Sequence, residues 1–304
     1  FVIFQMMFAI ITPALITGAF CERFKFKTYL VFLVLWVTFV YAPIAHWVWA
    51  SDGWLANRGA LDFAGGAVVH INAGIAAIAA AALVGRRRNP GVSPNNVPFV
   101  ILGASMLWFG WFGFNAGSGL AANGQAVSAF LVTNTSAATA MMVWVILSLM
   151  HGGKVSGVGA ATGAIAGLAT ITPASGFVGV EAALILGLIS GVITYYAVYF
   201  KSKVNLDDAL DVFAVHGLGG MIGLIGTGVF AAEAIGGAKG ILEGSSDLLI
   251  ENLILIVATV VYSLVATLVI LKVLDIIPGL GLRSTETEED EGLDVSDHGE
   301  NAYG

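Results

Sequence analysis

The chain has 304 residues, of which 58% are apolar and only 11% charged, and its mean hydropathy is +0.89. A soluble domain carries about 25% charged residues, so these values exclude a cytosolic enzyme and indicate an integral membrane protein. The net charge of −7 belongs to a tail: residues 284–304 hold eight acids and no Lys or Arg, which leaves the body near neutral and offers no basic surface to nucleic acid.

A membrane-spanning helix needs about 20 predominantly apolar residues. Nine such runs follow in chain order, at 1–19, 28–50, 62–85, 98–120, 127–150, 155–174, 178–200, 208–234 and 248–273. Barrel strands would instead alternate polar and apolar residues, so the expected class is an all-α integral membrane protein. The first run opens at Phe1 with no charged region before it. It reads as the continuation of a longer protein rather than as a signal peptide. Cys21, in the first break, is the only cysteine, which excludes an internal disulfide and a multi-cysteine metal site.

The breaks between runs fix the orientation. Eleven of the 13 Lys and Arg fall on one set of loops and helix ends, from Arg23 through Arg86, Arg87 and Arg88 to Arg283. Only Arg58 and Lys239 fall on the other. The positive-inside rule places the richer side in the cytoplasm, with the acidic tail. The expected division is a transmembrane unit over 1–283 and a cytoplasmic tail over 284–304.

Glycines recur at four-residue spacing, as in Gly159, Gly163 and Gly167, and read as close helix packing. A second recurrence is more informative. Asp62 precedes His70 by eight residues in the third run, and Asp208 precedes His216 by eight in the eighth; a Gly follows four residues after each His. The loop count sends these two helices in opposite directions, which is the pattern of an inverted-repeat transporter. Eight residues of helix advance about 12 Å, so in a core about 30 Å thick the two imidazoles differ in depth by only about 6 Å.

Ionisable groups within a membrane are functional candidates, though a plain helix–helix hydrogen bond is the alternative for each His. No Asp, Glu, Lys or Arg falls mid-span in any run. There is no filter segment of the potassium-channel type and no third ligand to make a metal site with the histidines. The remaining composition suits a narrow apolar pore for a small neutral species. Trp49, Ser118, Phe8 and Phe114 would form a cup above it on the outer side. An indole face attracts a small cation and a hydroxyl oxygen accepts its N–H; the alternative for the aromatics is an interfacial belt or core packing.

DFAGGAVVHINAGIAAIAAAALVGRR (62–87), YAPIAHWVW (41–49), WFGFNAGS (111–118), TNTSAATA (133–140), GAIAGLATITPASGFV (163–178), DDALDVFAVHGLGG (207–220) and EGLDVSDHGENAYG (291–304) carry a resemblance along the whole chain. They resemble the ammonium transporter, methylammonium permease and Rhesus family, in its prokaryotic ammonium transporter branch. The resemblance implies an ammonium-transporter-like bundle of eleven helices in inverted repeats, nine of them present here, the first two preceding Phe1. It implies a cell-membrane homotrimer with one pore per subunit. Trp49, Ser118 and Phe8 match its external recruitment site, Phe8 and Phe114 its stacked phenyl gate, and His70 and His216 its pore histidines. Asp62 matches the carboxylate that supports the site.

Transport of ammonium and methylammonium is the function implied, with no cofactor and no enzyme activity. A PII-type nitrogen regulatory protein is the partner implied on the cytoplasmic face. A membrane ammonium sensor with little flux is the alternative. The tail is expected to dock on the cytoplasmic face, on a neighbouring subunit, although its composition alone describes a disordered segment.

Overall fold

The computed structural model describes residues 1–91, 93–201, 203–204 and 206–301. Every regular element among the described residues is helical, apart from one isolated bridge between Phe24 and Arg283. This follows from the solvent. Hydrocarbon offers the backbone no hydrogen bonds, so each apolar run satisfies its own peptide groups as a helix.

The bundle consists of α1 (Val2–Phe20), α2 (from Phe26 to Trp49), α3 (Gly66–Val84), α4 (Val97–Gly119), α5 (Gly124–Gly152), α6 (Gly157–Ile171), α7 (Val180–Lys201), α8 (Phe213–Phe230) and α9 (Asp247–Ile276). Each coincides with one of the nine runs. Among the described residues eight helices are long and apolar enough to cross a membrane, and α6 is a shorter apolar one of 15 residues. The sixth run is thus only partly helical. Pro173 lacks an N–H and its ring excludes the carbonyl four residues back, so residues 172–178 continue as a buried turn.

Three helices contain a π-turn: Val37–Tyr41 in α2, Gly66–Ile71 at the start of α3 and Phe213–Gly217 at the start of α8. The last two carry His70 and His216, and they pack against each other in opposite senses. A Cβ on Gly74 would lie 2.5 Å from the Gly217 backbone, and one on Gly220 would lie 2.4 Å from Gly66 O. Glycine alone allows that backbone contact. The repeat seen in the sequence is therefore a repeat in space. α3 is buried along most of its length, whereas α4 buries only Trp111 and Asn115, with open space beside Gly103, Gly110 and Gly113.

The end of the bundle that holds Arg86, Arg87 and Arg88 is tied by charge. Arg87 donates from Nε and Nη2 to the two oxygens of Asp207, both at 2.9 Å, and from its backbone N at 2.8 Å. Burial alone would raise the Asp207 carboxyl, but the hydrogen bonds and charge of Arg87, with Arg23 behind them, bring it down from 3.8 to about 2. Arg23 is fully buried and donates to the carbonyls of Ala19, Cys21, Gly85 and Asp207. It thus serves acceptors left over at the ends of α1 and α3.

Over its described residues, 284–301, the tail is ordered, contrary to what its composition describes. It forms α10 (Glu286–Glu291), started by a capping box between Thr285 and Glu288, and α11 (Leu293–His298). It docks on its own chain. Arg283 binds Glu289 through two bonds of 2.5 and 2.8 Å and donates to Val84 O at 3.2 Å. Arg88 binds Asp290 and Glu286, and the His298 ring meets Phe26 edge-on at 4.7 Å. Opposite charge supplies the ordering that apolar burial does not.

Candidate functional site

Asp62 ends the loop before α3 and is buried, with its carboxylate directed into the first turn of the helix. Oδ1 accepts from the N–H groups of Gly65 and Gly66 at 2.9 and 2.6 Å, and Oδ2 accepts from Ala67 and Val68 at 2.7 and 3.2 Å. Four orphan donors at a helix start are thus met by one side chain. Gly65 has φ of 120°, a conformation that favours glycine. The Asp62 carbonyl accepts the indole N–H of Trp49 at 2.9 Å. One residue thereby sets both the start of α3 and the orientation of Trp49. Asp208, its counterpart before α8, accepts the Phe213 N–H at 2.8 Å.

Trp49 forms one wall of a cavity of about 160 Å³ whose other walls include Phe8, Phe63 and Ser118. The Trp49 N–H is occupied by Asp62, so the indole contributes its ring to this cup. The Ser118 hydroxyl donates to Phe114 O at 2.8 Å, which leaves its oxygen lone pairs free to accept.

The floor of the cup is aromatic. Phe8 meets Trp49 at 5.4 Å and Phe114 at 4.7 Å between ring centroids. The Phe8 and Phe114 planes are inclined at 56°, so the two rings are tilted rather than stacked in parallel. Phe114 in turn lies flat against the His70 ring, 5.8 Å away at 14°.

Beneath Phe114 the two histidines meet. His70 Nδ1 and His216 Nδ1 are 3.2 Å apart, with ring centroids at 5.2 Å. The depth difference of about 6 Å expected from sequence is closed by the crossing of the two π-turns. His70 is 1% exposed and His216 7%. His216 also lines a second cavity, of about 420 Å³, with Leu15, Gly18, Leu107, Leu210 and Val215. Cup, phenyl pair, imidazole pair and second cavity follow one another in a single column. All seven residues singled out in the sequence lie on or beside it.

Sequence reasoning missed Trp111. Its ring lies against His70 at 5.5 Å and 23°, and its indole N–H donates to Thr172 Oγ1 at 2.9 Å. The signal was present, because Trp111 precedes Phe114 by three residues and shares its helix face. Thr172 sits in the buried turn after α6, so that non-helical stretch holds a wall of the column. Among the described residues no group of three His, Cys, Asp or Glu could hold a metal ion.

The sequence profile of the Ammonium Transporter Family matches residues 1–303. The chain belongs to the ammonium transporter family. It is 47% identical over 306 residues to ammonium transporter Amt1 of Archaeoglobus fulgidus, covering 100% of this chain and 77% of that one. It is 50% identical over 301 residues to an ammonium transporter of Aquifex aeolicus, covering 99% of this chain and 70% of that one.

The family fold is equally clear. The structure superposes on Saccharomyces cerevisiae Mep2 with a TM-score of 0.89 at 37% identity, over 93% of this chain and 67% of that one. A structure described as a Sensor Amt Protein gives 0.87 at 31% identity, over 97% and 75%. This ammonium transporter family member is therefore a multi-pass membrane protein of a transporter family, not an enzyme, with the all-α bundle that the sequence led us to expect.

Proposed function

We propose that the protein conducts ammonium-derived nitrogen through the column. Ammonium is recruited at Trp49, Ser118 and Phe8, where the indole face attracts the cation and the serine oxygen accepts an N–H. It gives up a proton to water at the mouth of the cup, because an apolar passage disfavours the charged form. Ammonia then passes the Phe8/Phe114 gate and the His70–His216 pair, and leaves through the second cavity. Asp62 holds the recruitment site in shape without touching substrate. Methylammonium follows the same route.

The observation that carries this reading is the contact of 3.2 Å between two imidazoles, with the Phe114 ring beside His70 on one side and the second cavity beside His216 on the other. The basic loops support a cytoplasmic position for the Arg86–Arg88 end and for the tail over 284–304, in the cell membrane. The transporter unit is then 1–283, assembled as a homotrimer. The polar face formed by the tail and the basic loops is where a PII-type regulator would dock.

The test is current recording on the full-length protein in a planar membrane during an ammonium pulse, with uptake measured in parallel. Uptake is expected, and sustained current shows that charge crosses with it. Ammonium binding without uptake overturns the transport reading in favour of a sensor, a possibility kept in view by the likeness to the Sensor Amt Protein.

A further inference from the structure

α3 and α9 lie side by side and run in the same direction; one hydrogen bond ties α9 to the loop before α3 and a second joins the two helices. Leu61 N donates to Asn252 Oδ1 at 2.9 Å, and Ser263 Oγ donates to Asn72 O at 2.9 Å; both pairs are 191 residues apart. Thr259 stands one turn before Ser263 on α9, as Val68 stands one turn before Asn72 on α3.

Asn72 follows directly on the π-turn that carries His70. The π-turn diverts the Asn72 backbone N–H to Ala67 O, and the Asn72 side-chain amide donates to Val68 O at 3.2 Å. That bond turns the Asn72 amide back along α3, in the direction in which Thr259 precedes Ser263 on the neighbouring helix. Both residues are completely buried, yet Asn72 Oδ1 and Thr259 Oγ1 have no hydrogen-bond partner in the protein. Buried polar atoms are nearly always matched, and ordered water is the usual partner where side chains do not reach.

The rest of α9 points the same way. Asn252, Thr259, Ser263 and Thr267 are all fully buried on a helix that is otherwise strongly apolar. Thr267 Oγ1 accepts from Trp36 Nε1 at 3.0 Å, and Tyr262, next to Ser263, donates to Phe39 O inside the α2 π-turn at 2.8 Å. Polar groups of α9 thus serve carbonyls in or next to two π-turns.

We propose that one ordered water bridges Asn72 Oδ1 and Thr259 Oγ1 behind His70, and that Thr259, through this water and alongside Ser263, positions the π-turn that holds the imidazole. The water donates to the amide oxygen and exchanges a hydrogen bond with the hydroxyl. Neither partner is charged, so a neutral molecule suits the niche, whereas a cation there would lack a counter-charge. Thr259 is a positioning residue in this account. Its effect on transport rests on the reading of His70 as a pore residue; the water itself does not.

Two measurements on the full-length protein test this. A map of the parent in ammonium-free buffer, at a resolution that shows ordered water, is expected to hold density between Asn72 and Thr259. Absence of density there overturns the proposal, whatever the histidines do. The second measurement compares Thr259→Val, which keeps the shape, with Thr259→Ser, which keeps the hydroxyl.

Thr259→Val is expected to lower uptake about fivefold by leaving buried groups unmatched, and Thr259→Ser is expected to stay within about twofold of the parent. Parental uptake in Thr259→Val, or a larger loss in Thr259→Ser, would mean that packing rather than hydrogen bonding matters and would overturn the positioning role. Should Thr259→Val not fold, the map and Thr259→Ser still decide. Density with normal Thr259→Ser uptake upholds the proposal; missing density, or loss in Thr259→Ser, overturns it.

Discussion

His70 and His216 share a single short contact, Nδ1 to Nδ1 at 3.2 Å, made where Gly74 meets the Gly217 backbone. Two nitrogens at that distance hold one proton between them. One ring donates and the other accepts, so their tautomers are linked. A doubly protonated pair is disfavoured both by burial and by mutual repulsion.

Selectivity should follow from this pair. Replacing both His70 and His216 with acidic or small residues should relax exclusion of K⁺, while either single change should mainly lower flux or alter the current that accompanies it. K⁺ and methylammonium uptake in the three variants is the measurement. A double variant that rejects K⁺ as well as the parent would move selectivity to the Trp49–Ser118–Phe8 cup or to the Phe8/Phe114 gate.

Asp62 should be irreplaceable by Ala and only partly replaceable by Asn. Its two oxygens accept four N–H groups; Asn offers one oxygen and turns an NH₂ toward the remaining donors. Losing the whole set at about 1 kcal/mol or more for each bond should abolish uptake in Asp62→Ala, whereas Asp62→Asn should retain some. Equal loss in both would show that the negative charge itself is required.

The Arg87–Asp207 pair makes an acid-stability prediction. The folded carboxyl titrates near 2 against an ordinary 3.8. The stabilisation is therefore present above about pH 4 and fades as pH falls toward 2, at about 2 kcal/mol when fully expressed. Asp207→Asn should lower the Tm of the purified protein at neutral pH, and the gap from the parent should close on acidification. A gap that is independent of pH would show that the pair stabilises by shape rather than by charge.

The tail should matter to transport through two ties at the end of α3: Arg88 binds Asp290, and Arg283 binds Glu289 and the Val84 carbonyl. Deleting Asp290–Gly304 should lower uptake without lowering the amount of protein in the membrane. Glu289→Gln should do so more mildly, since a partly exposed pair is worth about 1 kcal/mol. Unchanged uptake in the deletion would reduce the tail to an appendage.

Much of the bundle was legible because hydrocarbon imposes a simple rule: long apolar runs become helices. The histidine pair was legible because an Asp and a His at fixed spacing recur in helices of opposite direction. The π-turns were not, since one extra residue in a helix leaves no mark on hydropathy. The early end of α6 was signalled by Pro173 but hidden within an apolar run. Trp111 was missed because a tryptophan on an apolar helix looks like packing until its neighbour is known. Docking of the tail was expected from its resemblance and not from composition, which counts acids and cannot see that Arg88 and Arg283 wait opposite them. The bare oxygens of Asn72 and Thr259 belong to two helices far apart in the chain, and that they lack partners is visible only once the bundle is folded.

The glycines divide into two kinds, and the division reaches beyond a single subunit. At Gly74 and Gly220 an added methyl meets backbone, which no rotamer change can move aside, so even alanine should fail there. At Gly110 and Gly113 on α4 it meets nothing within 4 Å. An isolated chain would accept larger side chains at those two places. Intolerance to them in the membrane would therefore report a covering helix, and a substitution scan of α4 becomes a ruler for what packs against this face in the assembled protein.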